Sequence, residues 1–285
     1  RDLRMSRGLG DVYKRQVYGK GRRKSKLQKY VEALIDFIEK QTRYDDYNSI
    51  FNGRNSFSKT DHDATFMHMK EDHMKNGQLK PGYNVQIGVE GEYIVGVDIS
   101  SERSDQLTFI PFLEKLEKNL GQKYEAIVAD SGYESEENYT YLENNNQMAF
   151  IKPQTYEKSK TKKFKSDISK RENMIFNVED NYYICSAGKR LFYKGEQKKK
   201  SASGYESSKS IYECEDCSKC EYKSRCTRAK GNKQLHVARN FIRLREKSLE
   251  NITSEKGIIL RMNRSIQVEL SLIHISEPTR HAQIS

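Results

Sequence analysis

Between Tyr83 and Ile151 the hydrophobic pattern changes period repeatedly, and this alternation constrains the fold more than any single residue does. Tyr83, Val85, Ile87 and Val89 alternate with Asn84, Gln86, Gly88 and Glu90, the period of a strand with one buried face. Glu90-Gly91 supplies turn chemistry and Tyr93 to Val97 runs back, which predicts a β-hairpin. A helix is expected next: Ser104 is a candidate N-cap, Leu107, Ile110, Leu113, Leu116 and Leu120 form an apolar stripe, and Gly121 lies just past its end. Pro111 falls inside that stripe, so the start is expected nearer Phe109. Tyr124 to Ala129 reads as a short buried strand ended by Asp130-Ser131-Gly132. Ser135 caps a short helix bearing Tyr139 and Leu142, and Met148 to Ile151 is a further strand. Hairpin, helix, strand, helix, strand predicts an α/β core.

The flanking stretches are plainer. Leu27, Tyr30, Val31, Leu34, Ile35 and Ile38 recur at helical spacing, and the polar run from Thr42 to Ser58 is expected to be a loop. Thr60-Asp61-His62-Asp63-Ala64 is expected to cap a short helix, with a metal-binding carboxylate as the other reading. Lys158 to Arg171 is lysine-rich and reads as a solvated or DNA-facing linker. Tyr182 to Ile184 and Leu191 to Tyr193 read as strands, and a helical pattern runs from about His236 to Glu269 with a break near Gly257. There Ile259, Met262, Ile266 and Glu269 fall at intervals of three or four, which places Glu269 on an inward face.

The net charge is +11, with 35% apolar and 32% charged residues, which suits a polyanionic partner, nucleic acid first, and by itself suits a basic solubility face equally well. No run has the length of a membrane span or the pattern of a signal peptide, so no membrane partner and a cytoplasmic location are expected.

Five cysteines then argue for metal rather than disulfides. Cys214-x2-Cys217-x2-Cys220-x5-Cys226, with Cys185 upstream on a Cys-x-x-Gly turn, has spacing that lets thiolates converge on a structural Zn²⁺. Four ligands suffice, so either Cys185 or Cys214 is spare. Carboxylates form the second set: acids at a strand end and on an inward helix face suit Mg²⁺-assisted phosphodiester chemistry, and Asp130 and Glu269 meet that description. The competing reading pairs Glu269 with Arg264 or Arg261 in a structural ion pair.

Thr60-Asp61-His62-Asp63-Ala64-Thr65, Gly82-Tyr83-Asn84-Val85-Gln86, Ala129-Asp130-Ser131-Gly132-Tyr133-Glu134-Ser135, the cysteine cluster and Arg264-Ser265-Ile266-Gln267-Val268-Glu269 resemble, in this order, the C-terminal portion of bacterial insertion-sequence DDE transposases with a Cys-rich insertion. The resemblance covers about residues 17–269. It implies an RNase H-like mixed sheet with flanking helices, interrupted by the zinc-binding insertion, and cut-and-paste chemistry on transposon-end and target DNA with two Mg²⁺ ions. Asp130 would be the second acid and Glu269 the third. The first acid of such families commonly sits in an upstream Asp-Gly-Thr strand that this sequence lacks, and Asp63 is the substitute on offer. Lys158, Lys160, Lys162, Lys163, Lys165 and Arg264 would contact phosphates, and a homodimer is expected of the intact protein. The alternative is a non-enzymatic, zinc-stabilised nucleic-acid-binding module.

Met5 to Gln16 and Leu270 to Arg280 resemble translated sequencing-adapter read-through, and a Gly, a Phe and a basic residue expected after Glu269 are replaced by that run. The expected layout is therefore 1–16 adapter-like, 17–60 basic and helical, 61–155 catalytic core, 156–235 basic linker and Cys-rich insertion, 236–269 C-terminal core helix region, and 270–285 adapter-like. On this reading the chain is a fragment truncated at both ends, incomplete and inactive as it stands.

Overall fold

The computed structural model describes residues 23–51, 53–68 and 76–276, with side chains through residue 267. The chain divides into two compact units, Arg1–Gly82 and Tyr83–Ser285. In the first, helix α1 (Lys26–Phe51) is followed by the antiparallel pair β1 (Thr65–His68) and β2 (Leu79–Gly82). The loop expected from Thr42 is helical as far as Phe51. Side-chain pairs one turn apart, such as Gln41 with Asp45 and Lys40 with Asp36, support a polar helix surface that composition alone marks as loop. The segment from Thr60 caps no helix: the Asp61 carboxylate accepts a hydrogen bond from the Asp63 amide in an Asx turn that leads into β1.

The second unit is mixed α/β. It begins with the hairpin β3 (Asn84–Glu90) and β4 (Tyr93–Ser100), then α2 (Asp105–Leu120), β5 (Ala126–Ala129), a 3₁₀ turn (Ser131–Tyr133), α3 (Glu136–Asn144) and β6 (Met148–Ile151). The hairpin's burial is the reverse of its hydrophobic alternation. Gln86 is buried while Val85, Val97 and Ile99 are exposed. The cause is α2, which covers the face carrying Gln86, Gly88 and Gly96. Gly88 and Gly96 pair across the two strands, and a Cβ on them would meet Phe112 at 3.1 Å and Leu116 at 2.7 Å, so the absent side chains make room for the helix. Lys115 reaches Asp98 on the same face at 2.5 Å.

Helix α2 begins at Asp105, earlier than Pro111 suggested, and ends at Gly121 in the left-handed conformation. Strands β5 and β6 are parallel, with α3 as the crossover. Among the described residues this pair and the β3–β4 hairpin remain separate two-stranded ladders, where one continuous mixed sheet was expected. The exposed edge of β6 is closed by side chains. Ser248 Oγ accepts from the Ile151 amide at 3.1 Å, and Asn251 Nδ2 donates to the Ala149 carbonyl at 3.0 Å. Phe109, Leu113, Tyr139, Leu142, Ile151 and Leu244 form the core beneath.

Residues 156–171, expected as a linker, contain the short helices α4 (Tyr156–Ser159) and α5 (Lys162–Lys165), the latter capped by Thr161. Strands β7 (Ile175–Asn177), β8 (Tyr182–Ile184), β9 (Arg190–Lys200), β10 (Glu206–Cys214) and β11 (Gln234–Val237) form one antiparallel sheet in the order β11-β10-β9-β8-β7. Its core is aromatic, with Tyr212 packed against Phe176, Tyr183 and Tyr193. The turn α6 (Lys223–Cys226) lies between β10 and β11. Helices α7 (Arg239–Thr253) and α8 (Glu255–Ser276) close the unit, broken at Ser254, whose hydroxyl accepts from the Gly257 amide. The expected inward face of α8 is corrected: Ile259, Met262 and Ile266 are exposed. The more buried positions are Gly257, Leu260, Arg261 and Arg264, so the face turned to the protein is largely polar. The 270 boundary falls within α8, and residues 1–16 lie outside the described residues.

Candidate active site and cysteine centre

Asp130 follows β5 at its carboxyl end, where parallel strands direct their ligand sites. One carboxylate oxygen, Oδ1, accepts from the Gly132 amide at 2.8 Å and so caps the 3₁₀ turn. The other, Oδ2, lies 3.7 Å from Arg264 Nη2 on α8. Both functions leave the side chain 45% exposed. Asp130 is thus a cap and a surface carboxylate at once.

A second carboxylate stands beside it. A Cβ at Gly132 would lie 2.7 Å from Asp105 Oδ2 and 3.0 Å from Asp130 Oδ1, so both acids crowd the same point and only glycine leaves them room. Asp105 is held there by a directional chain of hydrogen bonds. Tyr133 Oη donates to Gln86 Oε1, Gln86 Nε2 donates to Asn84 Oδ1 at 2.8 Å, and Asn84 Nδ2 donates to Asp105 Oδ1 at 2.7 Å. Burial above all, then the negative charges of Asp105 and Asp130, pushes the Tyr133 phenol well above its ordinary value, so it remains a donor at neutral pH. This chain explains why the polar face of β3 is the buried one. Sequence reasoning missed Asp105. The Asn84-x-Gln86 alternation in a strand was the available signal, since two amides on one face need buried partners.

Behind Tyr133, Glu134 is buried, its side chain 2% exposed, with Arg245 Nε of α7 at 2.7 Å from Oε1. Its other oxygen accepts from the Gln154 amide at 2.7 Å and from Arg245 Nη2 at 3.2 Å. Arg245 therefore ties α7 to the turn that carries Asp130. Glu269 falls within α8, but its side chain lies outside the described residues. Asp63 lies in the first unit, exposed, with Arg54 donating to its carbonyl at 2.8 Å.

All five cysteines line one pocket beside the five-stranded sheet. Cys185 sits in a turn closed by Gly188, Cys214 ends β10, and Cys217 Sγ accepts from the Lys233 amide at 3.4 Å. Cys226 Sγ lies 4.0 Å from the Ile168 carbonyl. None is in a disulfide. Burial first, and the neighbouring Cys217 next, push the Cys214 thiol up to about 12. Among the described residues, no group of three or more His, Cys, Asp or Glu side chains is arranged as a metal site as it stands.

Lys158, Lys160, Lys162, Lys163 and Lys165 are all exposed, and Lys160 also pairs with Glu157 at 3.3 Å and lies over the Tyr156 ring. Among the described residues no helix is long and apolar enough to cross a membrane.

A family model described as "Transposase DDE domain" matches residues 184–284. This similarity supports a DDE transposase. The matched segment begins in β8, includes four of the cysteines' cluster from Cys214 to Cys226, Cys185, Arg264 and Glu269, and continues across the run beyond residue 269 that the sequence reading set aside. Asp130 and Asp105 precede it. No curated protein and no solved structure matches the chain.

Proposed function

We propose that this chain carries the chemistry of an insertion-sequence DDE transposase on an RNase H-like core: DNA strand cleavage at transposon ends followed by attack of the freed 3′-hydroxyl on target DNA. The observation that carries the reading is that the Asp130 carboxylate at the end of β5 and the Asp105 carboxylate flank Gly132, 3.0 and 2.7 Å from where its Cβ would lie, in the same compact unit as the transposase-like segment. The donor set fits a hard divalent cation, because both groups offer partly exposed carboxylate oxygens, Asp130 from the end of β5 and Asp105 from the first turn of α2. DDE transposases generally use a divalent metal such as Mg²⁺, which would polarise the phosphodiester and stabilise the leaving oxygen. Asp130 and Asp105 would hold it, with Glu269 completing the set.

The chain's own residues do the rest. Asn84, Gln86 and Tyr133 fix the orientation of Asp105, and Gly132, with no side chain, leaves the space that both acids flank. Arg264 offsets the charge of Asp130 and offers a phosphate contact on the same side. The cysteine pocket is the proposed Zn²⁺ centre: five thiols lining one pocket exceed what a small, polar segment needs for packing, and thiolates suit that ion.

Nicking of supercoiled DNA by the full chain with Mg²⁺ or Mn²⁺ tests this, and it tests equally the expectation from sequence that the chain is inactive as it stands. It is expected to require the cation and to vanish in Asp130→Ala, and nicking that persists in that variant would refute the assignment. DNA binding without any cation-dependent nicking would instead favour the zinc-stabilised binding module.

A further inference from the structure

Two basic stretches far apart in the sequence meet at one junction. Residues 158–171 hold seven lysines and arginines against one acid, Asp167, and residues 219–230 hold five against one, Glu221. Their combined excess nearly equals the +11 of the whole chain, so the charge that suggested a polyanionic partner is concentrated in 26 residues. Lys233 fastens them together. It is 9% exposed, and its ammonium donates to the Ser169 carbonyl and to the Cys226 carbonyl, each at 2.9 Å. Cys226 Sγ approaches the Ile168 carbonyl at the same place.

The cations around the junction are free to act outward. Lys162, Lys163, Lys165, Arg225, Arg228 and Lys230 are exposed and form no ion pair with another described residue. The first stretch's acid is already spent locally, since Asp167 accepts from the Ser169 amide and hydroxyl at 2.9 and 2.6 Å. Like charges held close by a buried strap repel one another unless a polyanion covers them.

We propose that residues 158–171 and 219–230 form a single anchoring surface for the backbone of duplex DNA, assembled by Lys233 across the cysteine pocket. It extends the lysines expected to contact phosphates to Arg225, Arg228 and Lys230, and it rests on the reading of DNA as the partner. Contacts of this kind hold and orient DNA without selecting sequence.

The test is the salt dependence of binding between the full chain and a labelled random-sequence DNA duplex, with two triple variants. Lys162→Ala/Lys163→Ala/Lys165→Ala and Arg225→Ala/Arg228→Ala/Lys230→Ala alter exposed side chains only, and thermal melts verify folding. Each triple is expected to weaken binding at least about tenfold and to flatten the slope of log K against log salt by about 2 to 3. Normal binding and an unchanged slope in either triple would overturn the single surface, as would tighter binding of an RNA duplex than of DNA by the unmodified chain. Failure of the triples with Asp130-dependent nicking intact refutes this surface alone. Nicking independent of Asp130 refutes the proposed chemistry alone.

Discussion

Arg245 and Glu134 show how a residue remote from any reacting atom fixes the candidate site. Glu134 is four residues beyond Asp130, buried, and its charge is answered by Arg245 and one backbone amide. Removing the guanidinium leaves an uncompensated buried carboxylate, so Arg245→Ala is expected to destabilise the protein by about 3–5 kcal/mol in urea unfolding. Arg245→Ala with Glu134→Gln should recover part of that loss. A cost below about 1 kcal/mol for the single variant would mean that the pair is unimportant. At this scale the sequence was legible for Asp130, whose strand-end position follows from a short apolar run and a Gly turn. Asp105 was not legible, because its role depends on Asn84 and Gln86, more than a dozen residues away, meeting it across a helix–hairpin contact. Glu269 was read from a periodicity whose companions, Ile259, Met262 and Ile266, turn out to be exposed.

Helices α3 and α7 are joined by Glu143, which accepts from Arg243 at 2.6 Å and from Lys247 at 3.1 Å. Arg243 foremost, with Lys247, lowers the Glu143 carboxyl from 4.5 to about 2. A carboxyl depressed in the folded state stabilises above its unfolded value, and this contribution disappears as pH falls from about 4.5 through about 2. Because both cations are more than half exposed, solvent screening limits it to about 1 kcal/mol at pH 7. Glu143→Gln is expected to lose that amount at pH 7, with the gap from the unmodified protein closing as pH falls through this window. A pH-independent gap would contradict the ion-pair account. The helices and the β3–β4 hairpin were legible as elements, since their periods and caps are local. The inverted burial of the hairpin was not, because a pair of glycines invites α2 onto the face that alternation marks as outward.

For the whole molecule, composition indicated a basic chain with a cysteine-rich segment, and the five-stranded sheet around that segment was only partly legible. Its long β9 and β10 strands are rich in lysine and serine, residues that seldom signal strands, and they are ordered by the aromatic cluster at Tyr212. This sheet and α7–α8 lie in the same compact unit as Asp130, and from β8 onward they fall within the residues 184–284 that are similar to a transposase DDE domain. The central claim is that Asp130 and Asp105 hold a divalent cation, and Mn²⁺ binding followed by electron spin resonance tests it without relying on turnover. The full chain is expected to bind Mn²⁺ competitively with Mg²⁺, with binding abolished in Asp130→Asn and weakened at least about tenfold in Asp105→Asn. Unchanged Mn²⁺ affinity in folded Asp130→Asn would contradict the account.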